Sequence, residues 1–220
     1  KPSMSSAGSP ILVNDKKTIR AWAIFDWANS AYALVITAAI FPGYFLAITD
    51  DTINVLGREL SNSTLYSFAI SGAYLIIALF SPLLSGIADY GGRRKSFLKI
   101  FTTLGALACI MLVFFKGMPQ INLGVISFMV ATIGFAGGLV FYNSYLPLIT
   151  TEDRYDSVSA KGFAYGYVGS VILLIVNLVI IMNYGWFDLK DEGAASRVAF
   201  VMVGVWWIGF AQYTFRMLPD

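Results

Sequence analysis

The chain has 220 residues, of which 57% are hydrophobic and 13% are charged, and it contains no histidine. A soluble surface needs more charge than this, so the composition excludes a soluble globular domain and makes lipid the solvent for much of the chain. The absence of histidine argues against common zinc sites and Ser-His hydrolases, and a net charge of +2 is too small to indicate a nucleic-acid partner. We therefore predict no enzyme activity, no metal site and no cofactor.

Six stretches of the chain are apolar and long enough to cross a bilayer, which takes about 20 residues. The predicted spans are residues 20–47, 64–88, 97–115, 121–149, 160–183 and 197–218. The fold class is therefore all-α integral membrane, with an N-terminal cytoplasmic segment at residues 1–19 and a six-helix transmembrane bundle at residues 20–218. The polar connections between the spans are too short to hold a separate domain.

Lysine and arginine are unevenly distributed between the two ends of these spans. Eleven of the fifteen fall on the side of the two termini and four on the other side. Because basic loops stay in the cytoplasm, both termini are predicted to be cytoplasmic. Aromatic residues near span ends are interpreted as headgroup anchors: Trp22, Trp27, Trp186 and Tyr213.

Asp26 is an ionisable residue inside the first predicted span. At 1.5 Å per residue it lies about 9 Å beyond Arg20 in a hydrocarbon core of about 30 Å. A charge at a helix centre in the membrane costs about 3 kcal/mol, so we expect Asp26 to bind solute or to couple protons. Hydration near the cytoplasmic edge, or a bond to a neighbouring helix, is the alternative. A small polar stripe follows it at three- and four-residue steps and is predicted to line a cavity: Asn29, Ser30, Ala33 and Thr37.

The turn between the second and third spans carries a motif, which reads GIADYGGRRK over residues 86–95. Glycine allows helices to approach closely and permits a tight turn, while Asp89 at a helix end can pair with Arg93 or cap a neighbouring helix. We predict a conformational latch that breaks and re-forms, built from Gly86, Asp89, Gly91, Arg93 and Arg94. The alternative is a basic loop that only fixes topology.

The fourth and fifth spans supply the remaining candidates for the cavity. Tyr142 and Tyr145 share a helix face and Asn143 adds an amide, although hydrogen bonding between helices alone would explain Asn143. In the fifth span the small residues at 162, 166 and 169 form a ridge that we interpret as a packing surface. Tyr165 lies off this ridge and is predicted to direct its hydroxyl into the cavity, with a position at the cytoplasmic edge as the alternative.

The motif at residues 86–95 has the form G-x-x-x-D-x-x-G-R-R/K and resembles the signature of the major facilitator superfamily. Other segments extend the resemblance over almost the whole chain: FDWANSAY at 25–32, FYNSYLP at 141–147 and GFAYGYVGS at 162–170. Together they resemble the bacterial branch related to fungal autophagy-linked vacuolar amino-acid effluxers. The resemblance implies a transporter of the bacterial inner membrane that moves a small, amino-acid-like solute by alternating access.

Members of that family ordinarily have twelve helices in two six-helix bundles, with the solute between them, and this chain matches only the first bundle. Facilitator bundles are parallel repeats, so a homodimer would supply the second wall of the cavity. A second six-helix half, including one encoded beyond residue 220, would do the same. The alternative function is a non-transporting membrane subunit or scaffold with a vestigial cavity. Besides solute, membrane lipid is the expected partner.

Overall fold

The structure is a computed structural model that describes residues 13–90 and 92–219, apart from the side chains of residues 88–90. Within these residues, six helices are long and apolar enough to cross a membrane. This confirms the predicted all-α bundle of six transmembrane helices. The long helices are α1 (Lys16–Ile48), α2 (Asn62–Tyr90), α3 (Arg94–Met111), α4 (Ile121–Asn143), α5 (Tyr155–Met182) and α6 (Glu192–Met217).

The first helix begins inside the segment that was predicted to precede the bundle. Asp15 caps it by accepting hydrogen bonds from the backbone N–H and the hydroxyl of Thr18, both at 2.8 Å. These hydrogen bonds hold the pKa of the Asp15 carboxyl below its ordinary value. The polar cap thus adds residues to α1 that the apolar stretch alone did not indicate.

The middle of α1 is wound more widely than its ends. The helix is α-helical over Lys16–Ala31 and Phe41–Ile48, and π-helical over Tyr32–Ile40. At the end of the wide segment the N–H of Phe41 donates to the carbonyl of Ile36, five residues back. Such segments are rare and frequently occur at functional sites. This part of α1 is therefore a candidate functional segment.

A short β-hairpin joins α1 to α2, where the sequence indicated only a polar connection. Its strands are β1 (Thr52–Val55) and β2 (Arg58–Ser61), which are antiparallel with Val55 opposite Arg58. The two residues of the turn, Leu56 and Gly57, have φ angles of 51° and 79°. Positive φ at both central positions is the backbone of a type I′ turn.

The helices pack in a pattern that is the same for the two halves of the bundle. Helix α1 of the first half contacts α5 and α6 of the second half. Helix α4 of the second half contacts α2 and α3 of the first half, and α3 and α6 contact each other. Exchanging α1–α3 with α4–α6 leaves this pattern unchanged. Two three-helix repeats of the kind found in major facilitator bundles produce this symmetry.

The tightest seam of the bundle joins α3 to α4 through two glycines. A Cβ on Gly134 would lie 2.7 Å from the backbone nitrogen of Gly105 and 2.7 Å from the carbonyl oxygen of Phe101. Trp207 of α6 is fully buried and also packs against Gly105, where a Cβ would lie 2.5 Å from its ring. Backbone therefore meets backbone at this seam, and no side chain lies between the two helices there.

Candidate functional site

Asp26 lies at the interface of α1 with α5 and is only 6% exposed. One carboxylate oxygen accepts a hydrogen bond of 2.8 Å from the hydroxyl of Ser30, one turn further along α1. The other oxygen faces Gly166 of α5, where a Cβ would lie 2.9 Å from it and 2.7 Å from the Ser30 hydroxyl. The carboxylate and the hydroxyl thus occupy the space that the missing side chain of Gly166 leaves.

A cavity of about 290 Å³ opens beside Ser30, between the middle of α1 and the middle of α5. Three of its α1 residues belong to the π-helical segment. Its walls combine apolar side chains with three hydroxyls, and they are Ser30, Ala33, Leu34, Ala38, Phe163, Tyr167 and Ser170. Transporters hold solutes and coupling ions near this depth, close to the bilayer midplane.

The ridge of α5 packs against the rings of α1, as its small residues indicated. A Cβ would lie 2.7 Å from Trp22 if placed on Gly162, and 2.7 Å from Trp27 if placed on Gly169. Trp22 is 3% exposed, and its indole N–H donates to the carbonyl of Tyr142 at 3.0 Å. The interpretation of Trp22 as a headgroup anchor was therefore wrong, because its ring is buried against α4 and α5.

Tyr142 and Asp26 both contact the glycine ridge of α5. Tyr142 faces Gly162, one turn before Gly166, which faces Asp26. Its ring stacks on Trp22 and Phe25 with centroids 4.3 and 5.0 Å away. The hydroxyl points toward Gly162, where a Cβ would lie 2.9 Å from it, and it has no hydrogen-bond partner among the described residues. The structure thus unites Asp26, Ser30 and Tyr142, three of the predicted site residues, where α1, α4 and α5 meet.

Asn29 and Asn143 are not brought to this cavity. Asn29 is fully buried, and neither atom of its amide has a hydrogen-bond partner among the described residues. It lies four residues after Phe25 and three before Tyr32, on the α1 face whose rings pack against α4. Asn143 is exposed at the last residue of α4. A contact of either with solute stays a prediction.

Tyr145 is turned away from Tyr142, although the two were predicted to share a face. Helix α4 ends at Asn143, so the spacing that would align the two rings is interrupted. Tyr145 is fully buried, its hydroxyl donates to the carbonyl of Pro219 at 3.0 Å, and the Arg94 guanidinium lies 5.8 Å from its ring centre. These contacts join the ends of α4 and α6 and the start of α3.

Tyr165 and Tyr167 lie on different faces of α5. Tyr165 precedes Ile172 by seven residues, and Ile172 lines an apolar groove of about 620 Å³ between α5 and α6. Tyr167 lines the cavity beside Ser30 and was missed by the sequence prediction. The signal that would have found it is the spacing of Phe163, Tyr167 and Ser170, which places them on one face next to the glycine ridge.

The predicted latch is described only in part. Asp89 lies next to the last residue of α2, but its side chain and Gly91 lie outside the described residues. Gly92 takes a φ of 56° at the turn, and Arg93 is exposed. Among the described residues, no atom of another helix lies within 4 Å of a Cβ built on Gly86, so these residues show no close helix approach at that glycine. The latch stays a prediction.

Known proteins resemble this chain over most of its length. The model of the family described as vacuole effluxer Atg22 like matches residues 14–220. An uncharacterized MFS-type transporter, YxiO of Bacillus subtilis, is 34% identical over 193 residues, which are 87% of this chain and 44% of that protein. Autophagy-related protein 22-2 of Penicillium rubens is 34% identical, and the match covers 76% of this chain and 39% of that protein.

A third relative, autophagy-related protein 22 of Coccidioides immitis, is 29% identical over 157 residues, which are 70% of this chain and 24% of that protein. The chain therefore spans less than half the length of these relatives. No solved structure matches the chain significantly. The resemblance inferred from the motifs is confirmed, and the protein is an integral membrane protein that belongs to the vacuole effluxer Atg22-like family.

Proposed function

We propose that this chain forms one six-helix half of a secondary transporter, which moves a small, amino-acid-like solute across the bacterial inner membrane by alternating access. The observation that carries the proposal is the buried carboxylate of Asp26, held by Ser30 beside a cavity halfway along α1 and α5. A charge in the membrane is expensive and is retained where it has a role. The excess of basic residues on the side of the two termini supports a cytoplasmic location for both of them.

The chemistry of the cavity suits a solute with an ammonium group and a modest apolar body. Asp26 supplies the countercharge for the ammonium group, because Ser30 occupies only one of its two carboxylate oxygens among the described hydrogen bonds. The Tyr167 hydroxyl offers a donor and an acceptor to other polar groups, and the Ser170 hydroxyl, which donates to the carbonyl of Gly166, offers an acceptor. Leu34 and Phe163 face the apolar part. Pairing the solute with Asp26 lowers the cost of holding both charges in the membrane.

The π-helical part of α1 supports a conformational role for this region. Ala33, Leu34 and Ala38 line the cavity and belong to that segment, so a return to α-helical winding would turn them relative to α5. We propose that this rearrangement opens the α1–α5 interface when solute enters or leaves. The predicted latch of Asp89, Arg93 and Arg94 would close the cytoplasmic side against the other half.

The second half of the transporter is supplied by another copy of this chain or by a further six-helix segment. The relatives, which are more than twice as long as their matched regions, support the need for such a half. Native mass spectrometry of the purified chain in nanodiscs separates the two arrangements. A dimer supports a transporter made of two identical halves, whereas a monomer assigns the second half to a separate segment.

Uptake by reconstituted proteoliposomes tests the role of Asp26. We expect a labelled amino-acid mixture to enter in a pH-dependent manner, and Asp26→Asn to reduce uptake by about tenfold or more, because it removes a charge-assisted interaction of about 1.5–3 kcal/mol. Asp15→Asn is the matched control on the same helix. Asparagine also caps helices, and the low pKa of Asp15 keeps it ionised in the neutral range, so this variant should resemble the wild type. Unchanged, pH-dependent uptake by Asp26→Asn would contradict the proposal.

A further inference from the structure

The tip of the β-hairpin between α1 and α2 carries a residue that is poorly suited to water. Leu56 is 100% exposed and has a φ of 51°. Asparagine, aspartate or glycine is favoured at both central positions of a type I′ turn, because other residues strain the backbone when φ is positive. In water, Leu56 would combine an unfavourable backbone with an unburied apolar side chain.

A groove of about 310 Å³ lies beneath this tip, between the hairpin and the first turns of α2 and α4. Apart from Asn54 and Asn122 its lining is apolar, and it includes Leu56, Leu65, Val125 and Ile126. Ile126 is 60% exposed and lies five residues into α4, about 8 Å from the start of that helix. The groove therefore lies near the membrane boundary and continues into an apolar outer surface of the helices.

We propose that the hairpin tip is a lipid anchor, in which Leu56 inserts among the upper acyl carbons and one phospholipid chain fills the groove beneath it. The side chain of Arg58, exposed at the start of β2, is placed to meet the phosphate of the same lipid. Segments that lie in the membrane interface combine apolar side chains that enter the lipid with basic side chains that reach the headgroups. The anchor does not depend on the transport that we propose for α1 and α5.

Spin labelling offers a direct test, because the only cysteine of the chain, Cys109, is fully buried. In a Cys109→Ala background, the variant Leu56→Cys is labelled with a nitroxide and reconstituted in phospholipid nanodiscs. Collisions of the label with oxygen, which concentrates in lipid, are compared with collisions with a water-soluble nickel chelate. Glu59→Cys on the exposed side of β2 is the reference for water, and Leu79→Cys, at a 70% exposed position of α2, is the reference for lipid.

We expect the label at position 56 to follow the lipid reference, with oxygen collisions exceeding those of the chelate. A label at 56 that follows position 59 would show a tip in water and would overturn the proposal. A label at 56 that neither reagent reaches would overturn it as well, because protein from a second copy or another half would then cover the tip.

A second variant tests the anchor without a label at position 56, so the result does not depend on whether Leu56→Cys keeps the hairpin. Asparagine suits the type I′ turn, so Leu56→Asn retains the hairpin while removing the apolar side chain. With the label at Val55→Cys, which leaves Arg58 in place, adding Leu56→Asn should shift collisions from oxygen toward the nickel chelate. No shift would mean that Leu56 does not hold the hairpin in lipid.

Discussion

Two helix pairs in this bundle approach closely through glycines, and the contacts that they make differ. Between α3 and α4 the glycines at 105 and 134 bring backbone against backbone. Between α1 and α5 the glycines face side chains instead, among them the carboxylate of Asp26 and the hydroxyl of Ser30. Side chains can change rotamer and exchange hydrogen-bond partners, whereas packed backbones cannot. Glycines thus build a fixed seam in one place and cover a polar site in the other.

The largest expected effect is on the fixed seam. Gly134→Ala adds a methyl group 2.7 Å from backbone atoms of α3, which cannot give way, so we expect a loss at the upper end of the roughly 1–3 kcal/mol typical of overpacking. Thermal unfolding in detergent measures it. The control is Gly209→Ala on α6, where no described neighbour lies within 4 Å of the new Cβ and alanine favours the helix. Equal melting temperatures for the two variants would show that α3 and α4 are not held this tightly.

A smaller loss of stability, with a clear loss of transport, is expected from Gly166→Ala on α5. The new methyl group would lie 2.7 Å from the Ser30 hydroxyl and 2.9 Å from the Asp26 carboxylate, both of which can move. We expect a destabilisation of about 1 kcal/mol from the tighter packing. Uptake should fall several-fold, because the methyl group disturbs the hydrogen-bonded pair of Asp26 and Ser30 beside the cavity. Melting curves and proteoliposome uptake are measured on the same preparation, and a stable variant with full uptake would separate Gly166 from the site.

The smallest expected effect distinguishes the two tyrosines of α5. Tyr167→Phe removes one hydroxyl from the cavity wall, and a lost hydrogen bond of about 0.5–1.5 kcal/mol corresponds to roughly two- to tenfold weaker apparent affinity. Tyr165→Phe is the matched control, since Tyr165 lies toward the α5–α6 groove. Concentration dependence of uptake measures both. An effect confined to Tyr165→Phe would restore the prediction made from the sequence and remove Tyr167 from the site.

The six spans and the choice of Asp26 as a candidate site residue were accessible from the sequence, because the bilayer sets the length of an apolar helix and makes a charge within it costly. The rotation of each helix was not. Whether Tyr165 or Tyr167 faces the cavity depends on which side of α5 is taken by α6, and that contact joins distant parts of the chain. Trp22 was misread for a similar reason, since the glycine that accommodates its ring is Gly162.

Local backbone changes were also hidden from the sequence prediction. Tyr145 departs from the face of Tyr142 because α4 ends between them, and the hairpin was missed because Leu56 and Gly57 are not the residue pair that usually marks a type I′ turn. In α1 no proline lies within residues 32–40, so nothing in the residue types announced the wide winding there.

Access to the cavity tests the central claim most directly. Ala33 lines the cavity next to Ser30, and the buried Cys109 leaves a low background, so Ala33→Cys can be alkylated in proteoliposomes with a hydrophilic maleimide. We predict that Ala33→Cys reacts, that the amino-acid mixture slows the reaction, and that this protection disappears when Asp26→Asn is added. A cysteine that does not react, or that reacts at the same rate with and without amino acids, would contradict a solute site between α1 and α5.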